Sequence, residues 1–186
     1  FDPRSPVSEA YRTLRTNLQF SKIEGAIKAI LVTSSGPKEG KSTSIANLAI
    51  TLAQMGSKVV LVDTDLRRPV IHSIFGQEKE DGLTNYMMGQ LSLEKAIKKT
   101  FIDNLHIMTS GVLPPNPSEL LGSTKMEELV ATLKEKFDIV LFDSPPVIAV
   151  TDAAVLSTKV DCVFLVISSG QTNREAIIRA TTLLEN

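Results

Sequence analysis

Residues 35–42 read Ser35-Gly36-Pro37-Lys38-Glu39-Gly40-Lys41-Ser42, with Thr43 next. Before them stands a short branched apolar run, Ala29-Ile30-Leu31-Val32-Thr33; after them Ile45, Leu48, Ala49 and Leu52 recur at helical spacing. Buried strand, glycine-containing turn and helix start form the setting that a phosphate-binding loop requires. Successive backbone N–H groups and a helix N-terminus surround the phosphates, while a lysine and a hydroxyl reach the terminal phosphate and a Mg²⁺ ion. Gly40, Lys41 and Ser42 fit the pattern G-x-x-x-x-G-K-[ST], and Ser35 replaces its first glycine. If that position needs positive φ, serine strains the turn. The competing reading is an accidental glycine–lysine turn at a helix start, which leaves the preceding strand without a purpose. Residues Gly36, Pro37, Lys38, Glu39, Gly40, Lys41, Ser42 and Thr43 are the candidate nucleotide-binding set.

Two further strands deliver acids to the same region. Lys58-Val59-Val60-Leu61-Val62 reads as a buried strand beyond Gly56, and it ends in Asp63 and Asp65, with Arg67 and Arg68 behind. Alternate residues of an extended chain point the same way, so both carboxylates are expected to face one cleft. Ligands of open α/β sheets collect beyond the carboxyl ends of the strands. A solvated surface turn remains the alternative. Asp138-Ile139-Val140-Leu141-Phe142 then runs into Asp143-Ser144-Pro145-Pro146. A strand-terminal aspartate downstream of a phosphate loop commonly holds the Mg²⁺ shell. Ser42, Asp63, Asp65 and Asp143 are the expected metal-side residues.

These three motifs, as the stretches 34–43, 61–69 and 140–146, resemble the Walker A, Walker A′ and Walker B motifs of the bacterial tyrosine kinases, or BY-kinases. The likeness extends to residues 5–17 and 111–121 and so spans nearly the whole chain. MinD and ParA ATPases share the broader P-loop architecture but usually carry a second lysine where Gly36 stands here, which favours the kinase branch. The resemblance implies an ATP- and Mg²⁺-dependent protein-tyrosine autokinase acting in capsule or exopolysaccharide synthesis. It assigns Lys41 to charge neutralisation at the β/γ-phosphates, and Asp63 and Asp65 to metal orientation and handling of the acceptor proton, without deciding which is the base. Residues Glu9, Arg12 and Arg15 recur every three positions after a helix start at Ser5-Pro6. By resemblance this is an oligomerisation stripe that closes protomers into a ring, within an N-terminal helix over residues 1–25; from the residues alone, a self-paired exposed face is the preferred reading. The same likeness implies a transmembrane adaptor, or a fused upstream membrane region, that brings an otherwise cytoplasmic domain to the inner face of the membrane.

Composition agrees with one α/β domain over residues 1–186: 186 residues at 42% hydrophobic content support one sizeable core. The expected fold is a mostly parallel sheet with helices on both faces. A formal net charge of −1 gives no electrostatic case for nucleic acid. Every apolar run falls far short of the about 18 residues of a membrane span. The single Cys162, in an apolar run, reads as a reduced, buried thiol, and His72 and His106 lack metal-ligand neighbours at useful spacing. Further strands are expected over 105–109 and 162–167, and helices over 93–99, 125–136, 152–157 and 173–184. Met87 and Met88 are expected in a helical core, residues 76–82 as a solvated connection, and Pro114–Pro117 as a rigid turn before a helix.

The chain departs from the kinase pattern at its end. It stops at Asn186 with only Tyr11 and Tyr86, before the expected last strand and tyrosine-rich tail. Little autophosphorylation is expected of these residues alone. A first residue of Phe1 rather than methionine suggests a processed product or an excised domain. The alternative function is a MinD- or ParA-like switch, in which ATP drives dimerisation and partner binding without phosphate transfer.

Overall fold

Branched and aliphatic residues that alternate between two buried faces build the sheet of this computed structural model, which describes residues 6–20 and 27–185, with no account of the side chains at 6–8, 15 and 18–20. The strands are β1 (Ala29–Ser34), β2 (Val59–Asp63), β3 (Lys98–Lys99), β4 (Leu105–Met108), β5 (Ile139–Asp143) and β6 (Cys162–Val166). Their order across the sheet is β3-β4-β2-β5-β1-β6, parallel throughout except for β3 against β4. The helices are α1 (Pro6–Phe20), α2 (Lys41–Gln54), α3 (Ile71–Ile74), α4 (Leu83–Met87), α5 (Leu93–Ala96), α6 (Pro117–Gly122), α7 (Thr124–Lys136), α8 (Asp152–Ser157) and α9 (Arg174–Glu185).

Each strand's two-residue period splits the core into two layers. Ile30, Val32, Val59, Leu61, Ile107 and Leu141 pack with Ile45, Leu48 and Leu52 of α2, and Tyr11 and Leu14 of α1 lie over that layer. Ala29, Leu31, Val60, Val62, Val140 and Phe142 pack on the opposite face against Leu129 and Leu133 of α7, Leu156 of α8 and Ala180 of α9. Helices thus cover both faces, as the continuous apolar runs demand of a parallel sheet.

Three expectations need correction. The helix expected over 93–99 ends at Ala96, because Ile97 is extended (φ −91, ψ 116), and Lys98–Lys99 pair with β4 instead. Met87 is buried, but Met88 caps the end of α4 and is 49% exposed, so it fills no core. Cys162 is half-buried and not enclosed, because β6 is an outermost strand among the described residues. Burial still raises its thiol above the usual value. The helix start at Ser5 lies outside the described residues.

Candidate active site

The sheet order brings the three motif strands side by side. Central β5 lies between β1 and β2, with Val32 and Asp63 both in register with Asp143, so the phosphate loop and both acidic motifs leave the sheet at one edge. Cross-strand bonds hold the exits. The Thr64 hydroxyl donates to the Asp143 carbonyl at 2.6 Å, the Thr33 hydroxyl to the Pro145 carbonyl at 2.8 Å, and the Val147 amide to the Ser34 carbonyl at 2.9 Å.

Within the loop, the left-handed residues are Lys38 (φ 64) and Gly40 (φ 83), not Ser35. The strain expected of serine at the first position is therefore absent, and it falls on Lys38 instead. Gly40 is the N-cap of α2, whose first amides have no intrahelical partner. Lys38, Lys41, Ser42, Thr43, Asp65 and Arg68 line a cleft of about 280 Å³ over the loop.

Lys41 is the hub. Its Nζ donates to Asp143 Oδ1 at 3.1 Å, to Asp65 Oδ2 at 3.3 Å and to Ser42 Oγ at 3.0 Å. Asp143 is fully buried, its Oδ2 has no hydrogen-bond partner, and burial outweighs Lys41 and Ser42 in raising its carboxyl above the ordinary value.

Asp63 differs from Asp65. Its Oδ1 accepts from the Asp65 amide at 3.2 Å, and its Oδ2 from the Val70 and Ile71 amides at 3.1 and 3.0 Å. Burial, followed by the neighbouring Asp143, pushes Asp63 up to about 8. Of the two acids expected to face the cleft together, Asp65 lines it, whereas Asp63 sits beneath and shapes the turn.

Asp152 and Ser118 carried no sequence signal. The Arg67 guanidinium forks onto the fully buried Asp152, Nε to Oδ2 at 2.9 Å and Nη2 to Oδ1 at 3.0 Å, and the Ser118 hydroxyl adds a bond to Oδ1 at 2.5 Å. This clamp ties the chain after Asp65 to α6 and α8. Sequence spacing cannot reveal a partner 85 residues away. At the N-terminus, Glu9 pairs with Arg12 of its own helix. The Arg15 side chain falls outside the described residues.

Residues 28–184 match the AAA domain family. The chain is 44% identical over 183 residues to tyrosine-protein kinase YwqD of Bacillus subtilis, covering 98% of this chain and 77% of that protein. It superimposes on the chimerical protein CapA2B2 with a TM-score of 0.95 at 38% identity, over 99% of this chain and 81% of that one. A MinD from Pyrococcus horikoshii complexed with Mg-ADP gives a TM-score of 0.64 at 28% identity, over 75% of this chain and 57% of that one.

Proposed function

The chain belongs to the bacterial tyrosine kinases, on an AAA domain, and from that membership we propose that its phosphate loop holds ATP while Asp65 directs a tyrosine hydroxyl onto the γ-phosphorus. The observation that carries the proposal is the meeting of Lys41 with Asp65 and Asp143 at the mouth of the loop. Lys41 gives up these carboxylates for the β/γ-oxygens as phosphate enters and offsets the charge that develops there. The amides of residues 38–43 and the N-terminus of α2 hold the phosphate chain.

Ser42 Oγ, Asp65 and the unpaired Oδ2 of Asp143 fit Mg²⁺. Such an ion would take most of its ligands from phosphate and water oxygens. Held by these residues, Mg²⁺ would supply neutralisation of the charge on the phosphate chain. The phenolic oxygen then attacks in line, its proton passes to a carboxylate oxygen of Asp65, and the bond from γ-phosphorus to the ADP oxygen breaks. Asp63 supports this step from below by fixing the backbone at Asp65, Val70 and Ile71.

In this reading the acceptors are protein tyrosines, and the physiological role is control of capsule or exopolysaccharide synthesis. Glu9, Arg12 and Arg15 join protomers in a ring once Glu9 exchanges its own-helix partner for a neighbour's. A transmembrane adaptor or a fused upstream region brings the domain to the inner membrane face. No described helix is itself long and apolar enough to cross a membrane. The test of the assigned chemistry is Asp65→Asn. At saturating Mg-ATP it should still slow phosphorylation of a tyrosine peptide by about 10²- to 10⁴-fold, the usual range for loss of a general base. Near-parental turnover would remove Asp65 from the chemistry.

A further inference from the structure

We infer that Thr172, in the turn between β6 and α9, is a positioning residue for the phosphate loop and acts on it through Glu39. The inference rests on the reading of that loop as the nucleotide site.

Glu39 stands between the two left-handed residues of the loop, Lys38 and Gly40. Its carboxylate folds back over the loop's beginning: Oε1 accepts from Ser35 Oγ at 2.7 Å, and Oε2 from the Gly36 amide at 3.1 Å. A third donor comes from outside the loop, because Thr172 Oγ1 reaches Oε1 at 2.5 Å across 133 residues of sequence. The threonine is held in turn. Its Oγ1 accepts the Ser168 amide at 3.0 Å, and the amides of Gln171 and Thr172 both bond the Ser168 carbonyl, at 3.1 and 2.9 Å. Burial opposes the charge on Glu39, but the Thr172 and Ser35 hydroxyls and the loop amides outweigh it and hold the carboxyl below its usual range. At neutral pH the group is thus a pure acceptor facing donors.

This arrangement gives Ser35 and Lys38 a common explanation. A lysine in the left-handed region costs roughly 1 kcal/mol or more, and a loop without its first glycine has no intrinsic reason to keep its amides aimed at one point. The carboxylate bridges the loop's two ends and fixes them to the rigid turn beyond β6. Affinity for phosphate depends on that pre-aiming, since amides already in place need no reordering on binding. Glu39 lines the phosphate cleft, whereas Thr172 lines a neighbouring hollow of about 360 Å³ shared with Ser35 and Gly36. Thr172 therefore acts on nucleotide without touching it.

Calorimetric titration with Mg-ADP tests this on the parent chain, Lys41→Met, Thr172→Val, Thr172→Ser, Glu39→Gln and the Glu39→Gln, Thr172→Val double variant, with a melting curve for each. Thr172→Val should weaken Mg-ADP by about tenfold or more, the scale of one hydrogen bond to a charged group, while staying folded at the temperature of the titration. Thr172→Ser, which keeps the hydroxyl, should bind as the parent does. The double variant should bind no more weakly than Glu39→Gln alone, because both changes break one tie. Parental affinity in Thr172→Val, a melting shift without an affinity change, or losses that multiply in the double variant would each overturn the inference. If Thr172→Val does not fold, Thr172→Ala is read by the same criteria. Lys41→Met separates the two levels: lysine-independent binding sinks the nucleotide reading itself, whereas lysine-dependent binding that ignores Thr172 sinks only the tether.

Discussion

Asp152 illustrates what a single residue does away from the reacting atoms. Its carboxylate is fully enclosed, yet it is charged because Arg67 and Ser118 donate to it; burial raises its carboxyl, and these donors more than reverse that. A depressed folded-state value means stability that is complete above the ordinary aspartate range, near 3.8, and is lost as pH falls through the lower folded value. Asp152→Asn should therefore destabilise the protein at pH 7 by about 2 kcal/mol, below the figure for fully buried pairs because Arg67 is partly exposed. The gap between variant and parent should narrow in acid below the ordinary aspartate range. Denaturant unfolding across pH reads both, and a gap that stays constant into acid would contradict the assignment. Gly40, Lys41 and Ser42 were legible in sequence because the chemistry of a phosphate loop is contiguous. Asp152, Ser118 and Thr172 were not, because each finds its partner only through the fold. The unequal settings of Asp63 and Asp65 were equally hidden, since alternation gives direction but not which amides await each oxygen.

At the scale of elements, the buried strands were legible because parallel strands covered on both faces must be continuously apolar. The 93–99 segment failed for the opposite reason: α5 and β3 are too short for either period to register, and the extended Ile97 between them decides the break. A close approach of two backbones was also invisible. The Leu83 and Thr84 amides bond the Thr109 and Ser110 carbonyls at 2.8 and 3.0 Å, and a Cβ built on Gly82 would lie 2.1 Å from the Thr109 carbonyl oxygen. That contact is with backbone, so no side-chain motion relieves it. Gly82→Ala should destabilise by about 3 kcal/mol, the upper end for overpacking, and should loosen the chain that follows β4. A melting temperature equal to the parent's would show that these segments part freely.

For the whole molecule, the sheet order is the decisive fact. Placing β5 between β1 and β2 sets Asp143 beside both the phosphate loop and the Walker A′ acids, and no pairwise reading of the sequence yields that order. The fold and the family were nevertheless legible from three motifs at strand ends, because each motif needs its own strand and a parallel sheet aligns their exits. The central claim is phosphate transfer to tyrosine at this edge. The most direct measurement is transfer of labelled γ-phosphate from Mg-ATP to a separate tyrosine-rich peptide, with the cytosolic segment of a membrane adaptor present and Lys41→Met as the control. Phosphotyrosine should appear on the peptide and disappear with Lys41→Met. Lysine-dependent release of free phosphate with no label on the peptide would contradict that claim and identify the chain as an ATPase switch.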